Sequence, residues 1–565
     1  MVHSALMERN MRIRMSHMRP VSAMLAVLLA VSFAYAPSSG YSQVRIPGSS
    51  ASTAMADEDV ASLLQKGQQL ERDRRWSEAM THYEDAARRL PDRREIQDRL
   101  TISRAHHDVT RRYSDSSFQQ AVDKMSKEEA TELFSEILQK IHTHYVQSPS
   151  WHDLVRRGTF MLEVALTEPA FLKRHVPNVP ADQINAVRRA LRAQTDAAGS
   201  RTRQEAKDHV LAASRFVHDK LGISDTALLL EYTSGAITSL DEYSTFLSGD
   251  QLDELFSQIE GNFVGLGVEL KADDSTLLIT NVITGSPAEK GGLRKGDRII
   301  GVDGQSTHEL STDKAADMLK GVEGSQVNVE LEDQQHAKRV VTLMRERVEV
   351  PSVDDVKIVD EDNGIGYLKL TSFQKTTSRD LDAALWKLHR SGMKSLIVDV
   401  RGNPGGLLTA AVEVSDKFLA NGTIVRTKGR NASEDFDYKA HSVGTWRMPL
   451  VVMIDGDSAS ASEIFAGAIR DHSRGKLVGT RSYGKGSVQG IFPLSSSTAG
   501  VRLTTAKFYS PNGQPISNRG VMPDVVVRST AKPSLDGDQD ADGFDAFDAA
   551  LTAAMQQARS QLSQR

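Results

Sequence analysis

From Pro449 to Gln489 the chain alternates short apolar runs with polar, glycine-bearing turns. Leu450-Val451-Val452-Met453-Ile454 is too short for most helices and rich in β-branched residues, which predicts a buried strand. Asp455-Gly456-Asp457 turns the chain, and Ser458 to Glu463 opens a helix that continues through Ile464, Phe465, Ala468 and Ile469. Ser and Asp are good helix caps, and a Glu in the first turn suits the positive end of the helix dipole. A second apolar pair, Leu477-Val478, leads into Gly479 and then Ser482-Tyr-Gly-Lys-Gly-Ser487. Upstream, Ile365 to Leu370 reads as a strand, Thr377 to Leu388 as a helix, and Ser395 to Val400 as a further buried strand. That strand runs into Arg401-Gly-Asn-Pro-Gly-Gly406 and a helix from Leu407.

The earlier chain is patterned differently. Leu64, Gly67, Leu70, Trp76, Ala79, Tyr83, Ala86 and Leu90 keep helical spacing up to Pro91, like one tetratricopeptide repeat. A single repeat cannot bury its own face, so it packs on neighbouring helices or on an adaptor protein; an ordinary helical hairpin is the plainer reading. Helical spacing continues from 95 to 237. His106-His107 and His142-x-His144 lack metal-ligand spacing and read as surface residues. Between 261 and 350 short strands take over, with Gly265-Leu266-Gly267-Val268 followed by Gly285-Ser-Pro-Ala-Glu-Lys-Gly-Gly-Leu293 and Gly296-Asp-Arg-Ile-Ile300. This resembles a PDZ domain, whose Gly265–Val268 loop would cradle a peptide's terminal carboxylate while the peptide pairs with a strand edge.

The chemistry sits in the turns. A serine at the start of the 461 helix lies among backbone N–H groups that can hold an oxyanion. Lys485 lies between two glycines, and a lysine acts as general base once burial brings its pKa from about 10.4 towards neutrality. Val488, Ile491 and Phe492 are the candidates for the dry surroundings this needs. Asp471-His472 offers a rival Ser-His-Asp arrangement, but 11 and 12 positions after Ser460 on one helix it points away from that serine. The turn 401–406 has the glycines of a phosphate loop without G-x-x-x-x-G-K-[ST], which argues against a nucleotide. Asp538-x-Asp-x-Asp-Gly543 imitates an EF-hand start, but Ala549 stands where the bidentate Glu belongs, leaving an acidic linker before a helix from Phe547 to Leu562. No metal or other cofactor is expected.

Ser458-Ala-Ser-Ala-Ser-Glu463 and Gly484-Lys-Gly-Ser-Val-Gln489, together with Val400-Arg-Gly-Asn-Pro-Gly-Gly406, resemble the motifs of the carboxyl-terminal processing (tail-specific) peptidases. These are PDZ-containing serine proteases with a Ser-Lys dyad. The resemblance implies Ser460 as nucleophile and Lys485, 25 positions on, as base. It implies Gln489 as the group orienting the lysine, and an oxyanion hole of Gly405 or, by preference, Gly406 together with Ala461. Asp241-Glu-Tyr-Ser-Thr-Phe-Leu247 also matches the family, with Glu242 where Pro is usual, and reads as structural. Arg401 and Asn403 read as loop supports. The resemblance covers roughly 240–530.

Composition adds location more than chemistry. A net charge of −5 gives no reason to expect nucleic acid as partner. With no cysteine there is no disulfide and no thiol nucleophile. Arg9, Arg12, Arg14 and Arg19 precede the apolar run Val21–Ala34 and the small-residue Ala34-Tyr-Ala36, the pattern of a secretory signal. Pro37 sits badly after that cleavage site, so a retained membrane anchor is the second expectation. The chain is thus expected to be multidomain α+β: signal or anchor 1–36, linker 37–57, helical region 58–240 with the tetratricopeptide-like hairpin at 58–91, PDZ domain 250–350, peptidase core 351–530, acidic linker and C-terminal helix 531–565. The expected function is an exported, periplasmic or extracytoplasmic serine endopeptidase acting on proteins with accessible apolar C-termini. The alternative is a non-catalytic PDZ/tetratricopeptide scaffold.

Overall fold

Strands that are apolar without interruption lie inside a mostly parallel sheet, where both faces are covered. In the computed structural model, which describes residues 52–273, 276–308, 318–527 and 548–564 and the backbone of Val27–Ala30, this sheet has the order Val353–Asp360, Ile365–Leu370, Ser395–Asp399, Leu450–Ile454, Lys476–Gly479, Val525–Val526. The first pair is antiparallel and every later pair parallel. The helices Thr377–Arg390, Leu408–Asp416 and Ala461–Asp471 share a core with Leu396, Val398, Leu450 and Val452 on one face. The C-terminal helix Ala549–Ser563 covers Ile365, Tyr367, Ile397, Val451, Met453 and Val478 on the other.

A second sheet runs Gly406–Leu407, Val27–Ala30, Ser487–Pro493, Gly500–Tyr509, Thr423–Gly429, Phe436–Lys439, with Thr245–Leu247 added to Gly500–Tyr509. Between the helical region and this core in sequence lies a small β domain, ordered Val268–Asp273, Thr276–Val282, Arg298–Val302, Gln326–Glu332, Lys338–Met344. It hangs from the pair Asn262–Gly265 with Glu346–Glu349.

The N-terminal half is helical. Ser52–Arg72 and Trp76–Arg89 form the expected hairpin, with the first helix reaching back into residues read as linker. They cross where a Cβ on Gly67 would stand 2.2 Å from the Tyr83 ring, so only glycine admits that approach. Arg94–Arg112 packs on the pair, with Arg104 paired to Glu84 at 2.8 Å. Of the histidines read as surface residues His142 is exposed, whereas His106 bonds Glu168 and stacks on Trp76 at 4.0 Å, and His144 stacks on Phe492 at 4.5 Å. Among the described residues no group of acids and histidines is placed to hold a metal, and no helix is long and apolar enough to cross a membrane. The EF-hand-like aspartates, and the leader apart from Val27–Ala30, lie outside the described residues.

Arg401 ties the C-terminal helix to the sheet. It bonds Asp399 at 2.7 Å and Asp548, the cap of that helix, at 2.7 Å. Asp399 is buried, so Arg401→Met leaves it short of its counter-charge at a cost of about 3 kcal/mol. A lowered Tm, with faster amide exchange in Ala549–Ser563, is the expected result.

Candidate active site

Three neighbouring parallel strands converge on one place. Ser395–Asp399, Leu450–Ile454 and Lys476–Gly479 lie side by side, and each releases its loop at the carboxyl end. Those loops carry the glycine turn, Ser460 and Lys485. Open α/β sheets form their crevices at such strand ends.

The serine turn is strained. Ser460 has φ 58° and ψ −112°, a conformation non-glycine residues rarely adopt. It immediately precedes the helix Ala461–Asp471, whose first N–H groups have no partner within the helix. Three serines crowd this turn, all buried, and two are committed to structure: Ser458 Oγ donates to the Val400 carbonyl at 2.8 Å, and Ser462 Oγ to the Asn403 carbonyl at 2.9 Å. Ser460 Oγ alone of the three is buried without a hydrogen-bond partner. It is not spent as a helix cap.

Glu463 joins the serine to the lysine. Its Oε2 accepts from Ser460 N–H and from Lys485 N–H, each at 2.8 Å. Those two backbone nitrogens are therefore at most twice 2.8 Å apart. Its Oε1 accepts from Gly484 N–H at 2.7 Å and Ser482 Oγ at 2.6 Å. Burial pushes this carboxyl above the usual range and the four donors oppose the shift. With donors on every side, the ionised form is the one that fits.

Lys485 is buried, with its pKa pushed down to about 7. Burial is the main cause, followed by the positive charge of Arg502; Glu242 and Asp241 oppose them. Its Nζ lies 4.6 Å from the centre of the Tyr243 ring. The segment 241–247, read from sequence as structural, therefore reaches the lysine. Asp241 Oδ1 accepts from the N–H groups of Tyr243 and Ser244, and Arg502 Nε donates to the Tyr243 carbonyl at 3.0 Å. Phe492, expected near the lysine, packs instead with the helical-region core, while Val488 and Ile491 are buried in the α/β core. Gln489 is buried, but its Nε2 donates to Ser487 Oγ at 2.9 Å and its Oε1 has no partner, so in this structure it does not accept from Lys485.

The glycine turn is held by Asn403, whose Nδ2 donates to the Leu370 carbonyl and whose Oδ1 accepts Gly405 N–H at 2.9 Å. Gly405 N–H is thereby committed. A Cβ on Gly406 (φ 143°) would stand 2.1 Å from the Phe373 carbonyl oxygen, so this close approach requires glycine. His472, at the far end of the serine helix, bonds the Thr423 carbonyl at 2.7 Å, and Asp471 accepts from Asn512 N–H at 3.1 Å. Neither serves Ser460. In the β domain, Leu266 and Gly267 accept through their carbonyls from Ala288 N–H and Ile283 N–H, which fixes the Gly265–Val268 loop at the start of the terminal strand Val268–Asp273.

The site opens on a cavity of about 1480 Å³ lined by Lys485, Tyr243, Tyr483 and Arg502 below and by Glu84, Arg88 and other charged residues of the helical region above. Arg88 sits 5.8 Å over the Tyr483 ring. Glu463, Tyr243 and Arg502 are the site residues whose parts sequence reasoning missed. Its place in the first turn marked Glu463 as a helix-start residue; no local pattern marks the other two.

This fold and site define a peptidase core carrying a PDZ domain. Residues 364–527 match the family model for peptidase family S41, and 278–333 match a PDZ domain. The chain is 36% identical over 320 residues to the carboxy-terminal-processing protease of Bartonella bacilliformis, covering 54% of this chain and 70% of that one. It is 34% identical to a carboxy-terminal processing protease of Bacillus subtilis (54% and 66% covered) and 34% identical to a carboxyl-terminal-processing protease of Synechocystis (52% and 69%). The chain belongs to the carboxy-terminal-processing proteases of peptidase family S41, and is a serine-type peptidase.

The strain at Ser460 has a measurable consequence. Glycine adopts φ 58° freely and alanine does not, so Ser460→Gly should unfold with about 1 kcal/mol more stability than Ser460→Ala. Denaturant titration of the two variants checks it.

Proposed function

We propose that the protein is an exported endopeptidase that captures substrate C-termini on its PDZ domain and cleaves peptide bonds with a Ser460–Lys485 dyad. The observation that carries this reading is that Lys485, with its pKa near 7, hangs from the same carboxylate oxygen that fixes the backbone of Ser460.

Neutral Lys485 takes the proton of Ser460 as Oγ adds to the substrate carbonyl carbon. The oxyanion rests on the N–H groups of Gly406 and Ala461; Gly405 is excluded because its N–H is bound to Asn403. Lys485 then protonates the departing amine, and water releases the acyl group by the same route. Gln489 lies in the strand after the lysine, and its unpartnered Oε1 gives it a role in receiving the ammonium once Lys485 is charged. The PDZ contribution is a terminal carboxylate on the Gly265, Leu266, Gly267 and Val268 loop and backbone pairing with the strand Val268–Asp273. The basic and apolar leader supports export.

The test is cleavage of an unfolded protein ending in a free apolar C-terminus. Ser460→Ala and Lys485→Ala should each lose at least a thousandfold in kcat/KM with the fold retained. Activity that survives Lys485→Ala removes the lysine mechanism, and a folded wild type with no activity under any condition favours the scaffold.

The pH profile gives a separate check. The base works when neutral, so kcat/KM should fall about tenfold per pH unit below about 7. Arg502 disfavours the charged form of Lys485, so Arg502→Met raises the lysine pKa and moves this acid limb to higher pH. A limb that stays in place separates Arg502 from the lysine.

A further inference from the structure

The second sheet contains a strand foreign to its neighbours in sequence. Val27–Ala30 pairs antiparallel with Gly406–Leu407 on one side and with Ser487–Pro493 on the other. Ala30 lies opposite Gly406, and Leu29 lies opposite both Leu407 and Gln489. The inserted strand thus spans the glycine turn and the strand that follows the lysine. It runs against Ser487–Pro493, with its carboxyl end towards the Lys485 end of that strand. Without it, the two flanking strands would be separated by a gap one strand wide, about 9.5 Å between their axes.

We propose that this gap is a binding site for an extended apolar peptide strand, and that Val27–Ala30 fills it in the full-length chain, so that the protein blocks its own peptide slot. The segment suits the role: Val-Leu-Leu-Ala has no charge and no proline, and both flanking strands offer backbone groups to pair with it. The slot walls are apolar as well, with Leu407 and Ile491 buried. Tethering favours the intramolecular occupant. Val27–Ala30 belongs to the same chain as the slot, so its pairing is intramolecular, with an effective concentration on the order of 1 mM. A free peptide must compete with that, so a chain keeping its leader is held off substrate, and leader removal or withdrawal opens the slot. The consequence for proteolysis rests on the dyad reading; occupancy of the slot does not.

The test therefore reads binding rather than cleavage. Full-length Ser460→Ala and full-length Ser460→Ala/Leu29→Pro are made by membrane-free translation, so that no signal peptidase removes the leader. Proline has no N–H to give at the position paired on both sides. The probe is a fluorescein-labelled peptide of residues 25–34 with an amidated C-terminus, which denies the PDZ loop its carboxylate. The Leu29→Pro protein should bind it at least tenfold more tightly, and its amides in 406–407 and 487–493 should exchange faster. Equal affinity, including no binding to either protein, together with equal exchange overturns the proposal. Because neither readout needs a working dyad, a wild type that cleaves nothing refutes the catalytic reading alone.

Discussion

The ionised carboxylate of Glu463 is the constraint on which the site depends. A charge taken from water is tolerated only where hydrogen bonds replace its solvation, and Glu463 collects four donors from the serine turn and the lysine loop. Satisfying that charge also fixes geometry. The backbone of Ser460 is drawn into a left-handed conformation it would not choose, and Lys485 is held with its side chain inside the protein. Ser482 extends the knot, accepting Val521 N–H while donating to Glu463.

Around that knot the electrostatics favour a neutral lysine. An ammonium group buried beside a guanidinium is penalised twice, by lost hydration and by like charge. The Tyr243 ring face favours a cation, and Glu242 and Asp241 pull the same way. The balance settles near neutrality, where a lysine has both an accessible neutral form and enough basicity to take a proton. The helical region completes these surroundings, since its charged residues wall the cavity above Lys485.

An edge strand and an inserted strand are the two backbone-pairing features of this molecule. The β domain presents Val268–Asp273 as the terminal strand of its sheet, and in the second sheet Val27–Ala30 lies between Gly406–Leu407 and Ser487–Pro493. Main-chain pairing holds an extended peptide with little regard to its side chains.

Much of this was legible in the chain. The apolar runs at 395–400 and 450–454 read as buried strands because they are short and rich in β-branched residues, and parallel sheets cover both faces. The turns after them, with their glycines and serines, marked where chemistry would be. Sequence also determined the family and the spacing from Ser460 to Lys485, since local motifs carry both. It did not determine which of three serines has a free hydroxyl, because that depends on where the carbonyls of Val400 and Asn403 fall after folding. Nor did it place Tyr243 and Arg502 at the lysine, more than 200 positions from one another and brought together by the second sheet. Glu463 was visible as a helix-start residue, but its bonds to the lysine loop required two neighbouring strand ends to meet. Local pattern reports what each segment can form; tertiary packing decides which buried groups must satisfy one another, and in this protein the chemistry lies in that second choice.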